Sequence, residues 1–196
     1  MEVMISYEYG YWPAVKGIGF SYGIEDMNRL EAVAYRLCDK DGGHNKFLES
    51  IQVWIEITAA RYWWQEFDTY RVGTTKQSES TIHTICKNKL SQDNFENYVS
   101  DRQIDYMNDL IDVYNNSEGA HKKEIFKLIK SNLPEGYLQK RMVCTNYKVL
   151  SNIIAQRKNH VLDEWHYFIA QVLEQIEHRE LLLKRYGEDR PWKLKE

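Results

Sequence analysis

The segment from Leu133 to His160, LPEGYLQKRMVCTNYKVLSNIIAQRKNH, constrains the fold more than any other stretch of this chain. Proline has no backbone N–H and disfavours helical geometry in the residue before it, so a helix must stop at Leu133-Pro134. Asn146 then offers a side-chain oxygen to an orphan N–H one turn later, which predicts a helix beginning behind it. Val149, Leu150, Ile153 and Ile154 recur at helical spacing and predict one buried stripe over 147–158. Asn146, Asn152, Gln156, Arg157 and His160 are polar groups that a buried helix does not itself require. At about 100° per residue, Asn146 and Arg157 fall near one face, whereas Asn152 and Arg157 point roughly 140° apart.

The rest of the chain reads as a mixture of strands and helices. A short strand is expected near Glu2–Tyr9, followed by loop through Ile24. Gly17, Gly19 and Gly23 lack the spacing of a phosphate loop and read as turn glycines. Leu30, Val33, Ala34 and Leu37 predict a helix over Glu25–Cys38, with Asp39–Gly43 as its polar exit. Val53, Ile55 and Ile57 alternate with polar neighbours, the period of a half-buried strand, and Trp54 implies that the other face is covered as well. Residues 72–83 read as a polar surface loop rich in Ser and Thr. Asp101 is the expected N-cap of a helix to about Tyr114, with Ile104, Met107, Ile111 and Tyr114 on one face. A second helix is expected over Ala120–Lys130 with Ile125, Leu128 and Ile129 inward, and a last one from Leu162 to about Leu183. Residues 185–196 read as a loose charged tail. The fold class expected is α/β (α+β), a small sheet packed with long helices in a single domain over 1–196.

Charge and composition narrow the function. A net charge of -3 gives no support for nucleic-acid binding, which calls for a basic face. No apolar run approaches a membrane span, and the basic region that opens a signal peptide is missing. Three cysteines without metal spacing fit a reducing cytoplasm. The six histidines show no metal-ligand spacing, so no metal is expected. Trp63 and Trp64 are adjacent and point in different directions, which suggests that a partner subunit covers one of them.

Two stretches carry a resemblance. Lys130-x-x-Leu133-Pro134, then Asn146, Asn152 and Arg157, with His160 close behind, is similar to the C-terminal half of the flavin-dependent thymidylate synthase (ThyX) family. Gly43-His44 followed by Leu48-Glu49 resembles the Gly-His-x-x-x-Leu-Glu-His segment of the same family, with Ser50 at its last position. The resemblance is strongest over 43–165. The family's Arg-His-Arg triplet falls on Thr69-Tyr70-Arg71, where only the last basic residue is kept. Downstream, one register matches Glu79, Thr81 and His83 to the family's Glu, Ser and final Arg. The other matches Ser80 to the Ser and loses the Glu.

The resemblance implies reductive methylation of dUMP, or of a related uridine nucleotide, with FAD, NADPH and methylenetetrahydrofolate. It assigns catalytic roles to Arg157, Thr81 and Glu79, and nucleotide contacts to Arg157, Lys130, Ser80, Thr81 and His83. It assigns cofactor contacts to His44, Arg71, Asn146, Asn152 and His160, in sites built between subunits of a homotetramer. Loss of two signature cations opens a second expectation, a protein that binds a nucleotide without catalysis, to sequester or sense it.

Overall fold

A computed structural model describes residues 1–187 of the chain; the expected tail from 188 onward lies outside the described residues. Four strands form one mixed-order sheet: β1 (Glu2–Tyr9), β2 (Gln52–Ala60), β3 (Thr75–Ser78) and β4 (Leu138–Asn146), in the order β1-β2-β4-β3. The alternation read at Val53, Ile55 and Ile57 is realised in β2, where all three are fully buried. Beside it, Tyr147 N donates to Ile51 O (3.0 Å) at one end and Arg61 N to Tyr137 O (3.1 Å) at the other. Pairing that reverses in this way makes β2 and β4 antiparallel. With nine α-helices among the described residues, the class is α+β as expected.

The chain divides into two compact units. The first comprises Met1, residues 58–69 and residues 78–141. It holds α3 (Arg61–Phe67), the single turn α4 (Thr81–Thr84), and the hairpin of α5 (Asp101–Asn115) and α6 (Gly119–Asn132). Its core gathers Ile85, Met107, Ile111, Ile129 and Tyr137. Leu128, expected inward, is exposed; Phe126 packs against that core instead. Ser100 rather than Asp101 stands at the N-cap of α5. Trp63 and Trp64 are both buried within the chain, in T-shaped contact at 5.1 Å and each against Phe67. Their adjacency is therefore no argument for a partner subunit. A short helix that turns between two directions of one core covers both.

The second unit comprises residues 2–57, 70–77 and those from 142 onward. It holds α1 (Tyr11–Tyr22), α2 (Met27–Leu37), α7 (Tyr147–Arg157), α8 (Asp163–Gln175) and α9 (Glu180–Tyr186). Asp26 caps α2 by accepting from Arg29 N at 3.0 Å. Asn146 caps α7 by accepting from Val149 N at 3.0 Å, and Leu150, Ile153 and Ile154 are buried behind it. Tyr147 is wholly buried and its hydroxyl donates to Glu8. Burial first, then the Glu8 carboxylate, pushes its ionisation far up, so the donor persists at all ordinary pH.

Three expectations in this unit are corrected. Gly10–Ile24 is helix over most of its length, because Ala14, Val15 and Ile18 supply a buried face that outweighs the glycines. Pro13 is compatible with this, since it sits in the first turn where its missing N–H has no helical partner. The final helix is broken: Ile176–Arg179 separates α8 from α9, and Arg185 and Tyr186 belong to α9 rather than to a tail. The expected loop over 72–83 contains β3 and the start of α4.

Gly17 and Gly19 both lie in α1 but in opposite environments. A Cβ on Gly19 would stand 2.4 Å from Ile24 O and 3.1 Å from Leu30 Cδ1, whereas one on Gly17 meets nothing within 4 Å. Gly19→Ala is expected to destabilise by about 1–3 kcal/mol through overpacking. Gly17→Ala is expected to stabilise by about 0.5–1 kcal/mol through reduced unfolded-state entropy. Urea titration of the two variants checks the opposite signs.

Candidate functional site

In the first unit, Thr81 opens α4 and is buried, with Ser80 at the N-cap position. Lys130, in the last turn of α6, reaches Thr81 Oγ1 with its Nζ at 2.5 Å. A helix C-terminus favours a cation there. Desolvation, then the charge of Arg61, lowers the Lys130 pKa below the usual lysine value. Arg61, which the sequence reading passed over, donates to Leu133 O at 2.9 Å and pairs with Glu135 at 3.3 Å. Lys130, Thr81 and Arg61 thus form one basic corner with a hydroxyl, a combination suited to a phosphate or an enolate-like oxygen. Glu79 and His83 are exposed on either side of that turn; Glu79 N donates to Lys140 O at 2.9 Å and His83 N to Ser80 O at 2.9 Å. The Glu79 charge is felt by Tyr137, whose ionisation is raised first by burial and then by that carboxylate.

In the second unit, Arg157 ends α7. Its Nε donates to Tyr70 Oη at 2.9 Å, and its guanidinium lies 4.6 Å from the centre of the Trp165 ring and 5.6 Å from that of Tyr70. Tyr70 in turn donates to Gln156 Oε1 at 3.0 Å. His160 turns its Nδ1 back to accept from Leu162 N at 3.2 Å and meets Trp165 edge-on at 6.2 Å. Arg157 and His160 are therefore brought together around Trp165. Asn152 is exposed on the same helix. Asn146 is 7% exposed and its oxygen is taken up by the cap; Gly73, at φ 72°, packs so closely on it that a Cβ would stand 3.0 Å from Asn146 Nδ2. Arg71 is exposed nearby in sequence to Gly73.

His44 lies apart from that group, on a cavity of about 680 Å³ within the second unit. Gly17, Ile18 and Tyr22 of α1 form one wall; His44, Lys46 and Ser50 form the other. Lys46–Ser50 is a 3-10 turn, which exposes His44 and Ser50 while burying Phe47 and Leu48. The loop that carries His44 is pinned by Asp41, which pairs with Arg185 at 2.5 Å and with Lys148 at 3.7 Å. Asn45, 1% exposed, accepts from Lys148 Nζ at 2.6 Å and donates to Cys38 O at 3.1 Å. Burial pushes the Cys38 thiol up to about 11, which makes it a poor nucleophile at neutral pH.

No protein-family model matches the sequence, and no curated protein matches it. Solved structures do. The chain superposes on thymidylate synthase X (ThyX) from Helicobacter pylori with FAD and dUMP, with TM-score 0.77 and 18% identity over 95% of this chain and 99% of that one. A second structure of the flavin-dependent thymidylate synthase ThyX from the same organism, complexed with FAD and dUMP, gives TM-score 0.77 and 17% identity over 95% and 100%. The fold is that of the flavin-dependent thymidylate synthases. In particular, it is a ThyX-like fold along nearly the whole of both chains.

The Arg185 guanidinium, through its hydrogen bond and then its charge, holds the Asp41 carboxyl below the usual value of 3.8. A depressed carboxylate adds stability above its unfolded pKa and loses it as pH falls through the folded value. Acid titration from neutral pH is therefore expected to lose an Asp41-dependent share of stability from about pH 4 downward. Thermal melts of the wild type and Asp41→Asn should differ at pH 7 and converge in acid.

Proposed function

We propose that this protein binds a uridine nucleotide, dUMP or a close relative, and acts on it as a divergent FAD-dependent thymidylate synthase-like enzyme by reductive methylation. The observation that carries the reading is the near-complete superposition on proteins solved with FAD and dUMP, together with Lys130, Thr81 and Arg61 converging in one corner. In this reading Lys130 and Thr81 receive the nucleotide, with Ser80, His83 and Glu79 on the adjoining turn. Arg157, its plane fixed by Tyr70 and Trp165, offers bidentate recognition of phosphate or a uracil carbonyl. Lys130 holds a single charge where the family carries an Arg and so gives a point contact rather than a fork.

The cavity beside α1 fits part of a flavin: its volume of about 680 Å³ suits a ligand of that class, and Gly17 leaves its wall open to a planar group. His44, Lys46 and Ser50 would hold it there; Arg71, Asn152 and His160 do not line this cavity and would reach a flavin in a site shared between subunits. Bound flavin, reduced by NADPH, would supply the hydride for a methylene carbon brought by methylenetetrahydrofolate. The protein's own part is to orient the ring, fix the nucleotide and exclude water. Homotetramer assembly, with sites shared between subunits, and a cytoplasmic location belong to the same reading.

A second reading rests on Thr69-Tyr70. Here the family's two cations are replaced by uncharged groups, and the Tyr70 hydroxyl is already engaged with Arg157 and Gln156. Each lost charge-assisted hydrogen bond weakens an anionic cofactor by about 1.5–3 kcal/mol. The fold then serves as a nucleotide-binding protein that sequesters or senses.

The purified protein is expected to carry FAD weakly or below stoichiometry, seen as flavin absorbance released on denaturation. No flavin bound at high micromolar FAD, with dUMP still binding, would decide for the second reading. Calorimetry with dUMP is expected to show that Arg157→Ala and Lys130→Ala each lose about 10- to 100-fold in affinity, the worth of one charge-assisted bond. His160→Ala should lose less, because its Nδ1 is turned to the backbone.

A further inference from the structure

We propose that Glu8, Glu177 and His178 bind a divalent transition-metal ion of the zinc class, at a site separate from the nucleotide and flavin contacts. One ligand atom from each residue lies within 4.8 Å of the other two. The donors come from remote parts of the chain: Glu8 from the end of β1, and Glu177 with His178 from the turn between α8 and α9. That separation is why no metal spacing was visible in the sequence.

Two of the three donors, Glu8 and His178, are oriented by neighbours. Glu8 accepts the Tyr147 hydroxyl on one oxygen and the backbone N–H of Glu177 at 2.9 Å on the other. A carboxylate oxygen has a second lone pair, so both remain able to ligate. The His178 ring is stacked on Tyr11, with centroids 3.3 Å apart and planes 10° from parallel. Its Nδ1 stands 3.7 Å from Glu180 Oε1, beyond hydrogen-bond length but near enough for that carboxylate to act on the ring by its charge. The His178 backbone N–H donates to Tyr147 Oη at 3.1 Å, so one buried tyrosine orients both sides of the site.

The charges of the trio suit a cation. The Glu177 side chain is exposed, with open solvent to turn into, yet its carboxylate lies beside that of Glu8. Two carboxylates held together repel unless a positive charge is shared between them. Two carboxylates neutralise a dication, and the imidazole selects zinc-class ions over magnesium or calcium. Bonds of about 2.0–2.2 Å require donors about 3–3.5 Å apart; the ligand atoms lie within 4.8 Å of one another, and the exposed Glu177 side chain supplies any closing movement. Water completes the shell. The ion would tie the end of β1 to the α8–α9 turn and so act as a structural clamp.

Full-length protein stripped with EDTA is titrated with ZnCl2, and with MgCl2 in parallel, by calorimetry and thermal unfolding. The expected result is one Zn2+ per chain at low micromolar affinity, a midpoint raised by several degrees, and little effect of Mg2+. Glu177→Gln keeps the backbone bond to Glu8 and should fold normally; it and His178→Asn should each weaken Zn2+ binding at least tenfold. His166→Asn, at a separate His–Asp pair (3.6 Å from Asp163), should bind as the wild type does. Absence of Zn2+ binding tighter than about 100 μM, or binding unchanged in Glu177→Gln, would overturn the proposal and leave the trio as a hydrogen-bonded clamp alone.

Discussion

The junction at Asn146-Tyr147, where β4 becomes α7, is the interaction on which the second unit depends. In two residues the chain leaves a strand, caps a helix and buries a tyrosine. Asn146 satisfies the orphan N–H of Val149, while the Tyr147 backbone continues the pairing with β2 through Ile51 O. The Tyr147 hydroxyl then joins Glu8 of β1 to the backbone of His178. A cap of this kind is worth about 1 kcal/mol, and leaving a buried hydroxyl without its partner costs about 1–3 kcal/mol. Strand, helix and turn are thus locked by local hydrogen bonds before any large apolar area is counted.

Arg157 inherits its position from that junction. Because α7 starts at a fixed point, its C-terminal residue emerges beside Trp165 and Tyr70, whose rings also touch each other at 6.1 Å. A guanidinium resting against two rings loses little further freedom when it engages a ligand, which favours recognition of a planar anionic group. The Lys130–Thr81 corner is fixed differently. There the proline after α6 ends the helix, and Arg61 anchors the exit by donating to Leu133 O. The two clusters therefore rest on helix ends, one set by a cap and the other by a stop.

Local signals were legible wherever one residue type suffices. Asn146 as cap, Leu133-Pro134 as stop, the β2 alternation and the α5–α6 hairpin all appear as read, since capping, ring geometry and period-2 burial act within a few residues. The α1 helix escaped notice because Gly17 and Gly19 mask its apolar face; Gly19 is there to admit Ile24 O and Leu30, neither of which is visible locally. The break before α9 and the second half of the sheet, β3 and β4, were likewise missed. Mixed polar strands such as LQKRMVCTN acquire their burial only from the strands beside them.

By itself the sequence determined helix starts and stops, one buried strand, and the set of polar residues kept in family order, among them Lys130, Asn146, Asn152 and Arg157. Tertiary structure alone decided which of these meet. It placed Lys130 on Thr81 and beside Arg61, set Arg157 against Tyr70 and Trp165, took up Asn146 as a cap, and left His44 on a separate cavity. It also brought Glu8 to Glu177 and His178 from opposite ends of the chain. The reason is one of range: propensity and capping act over a turn or two of backbone, whereas a site is assembled by packing between segments that no periodicity connects.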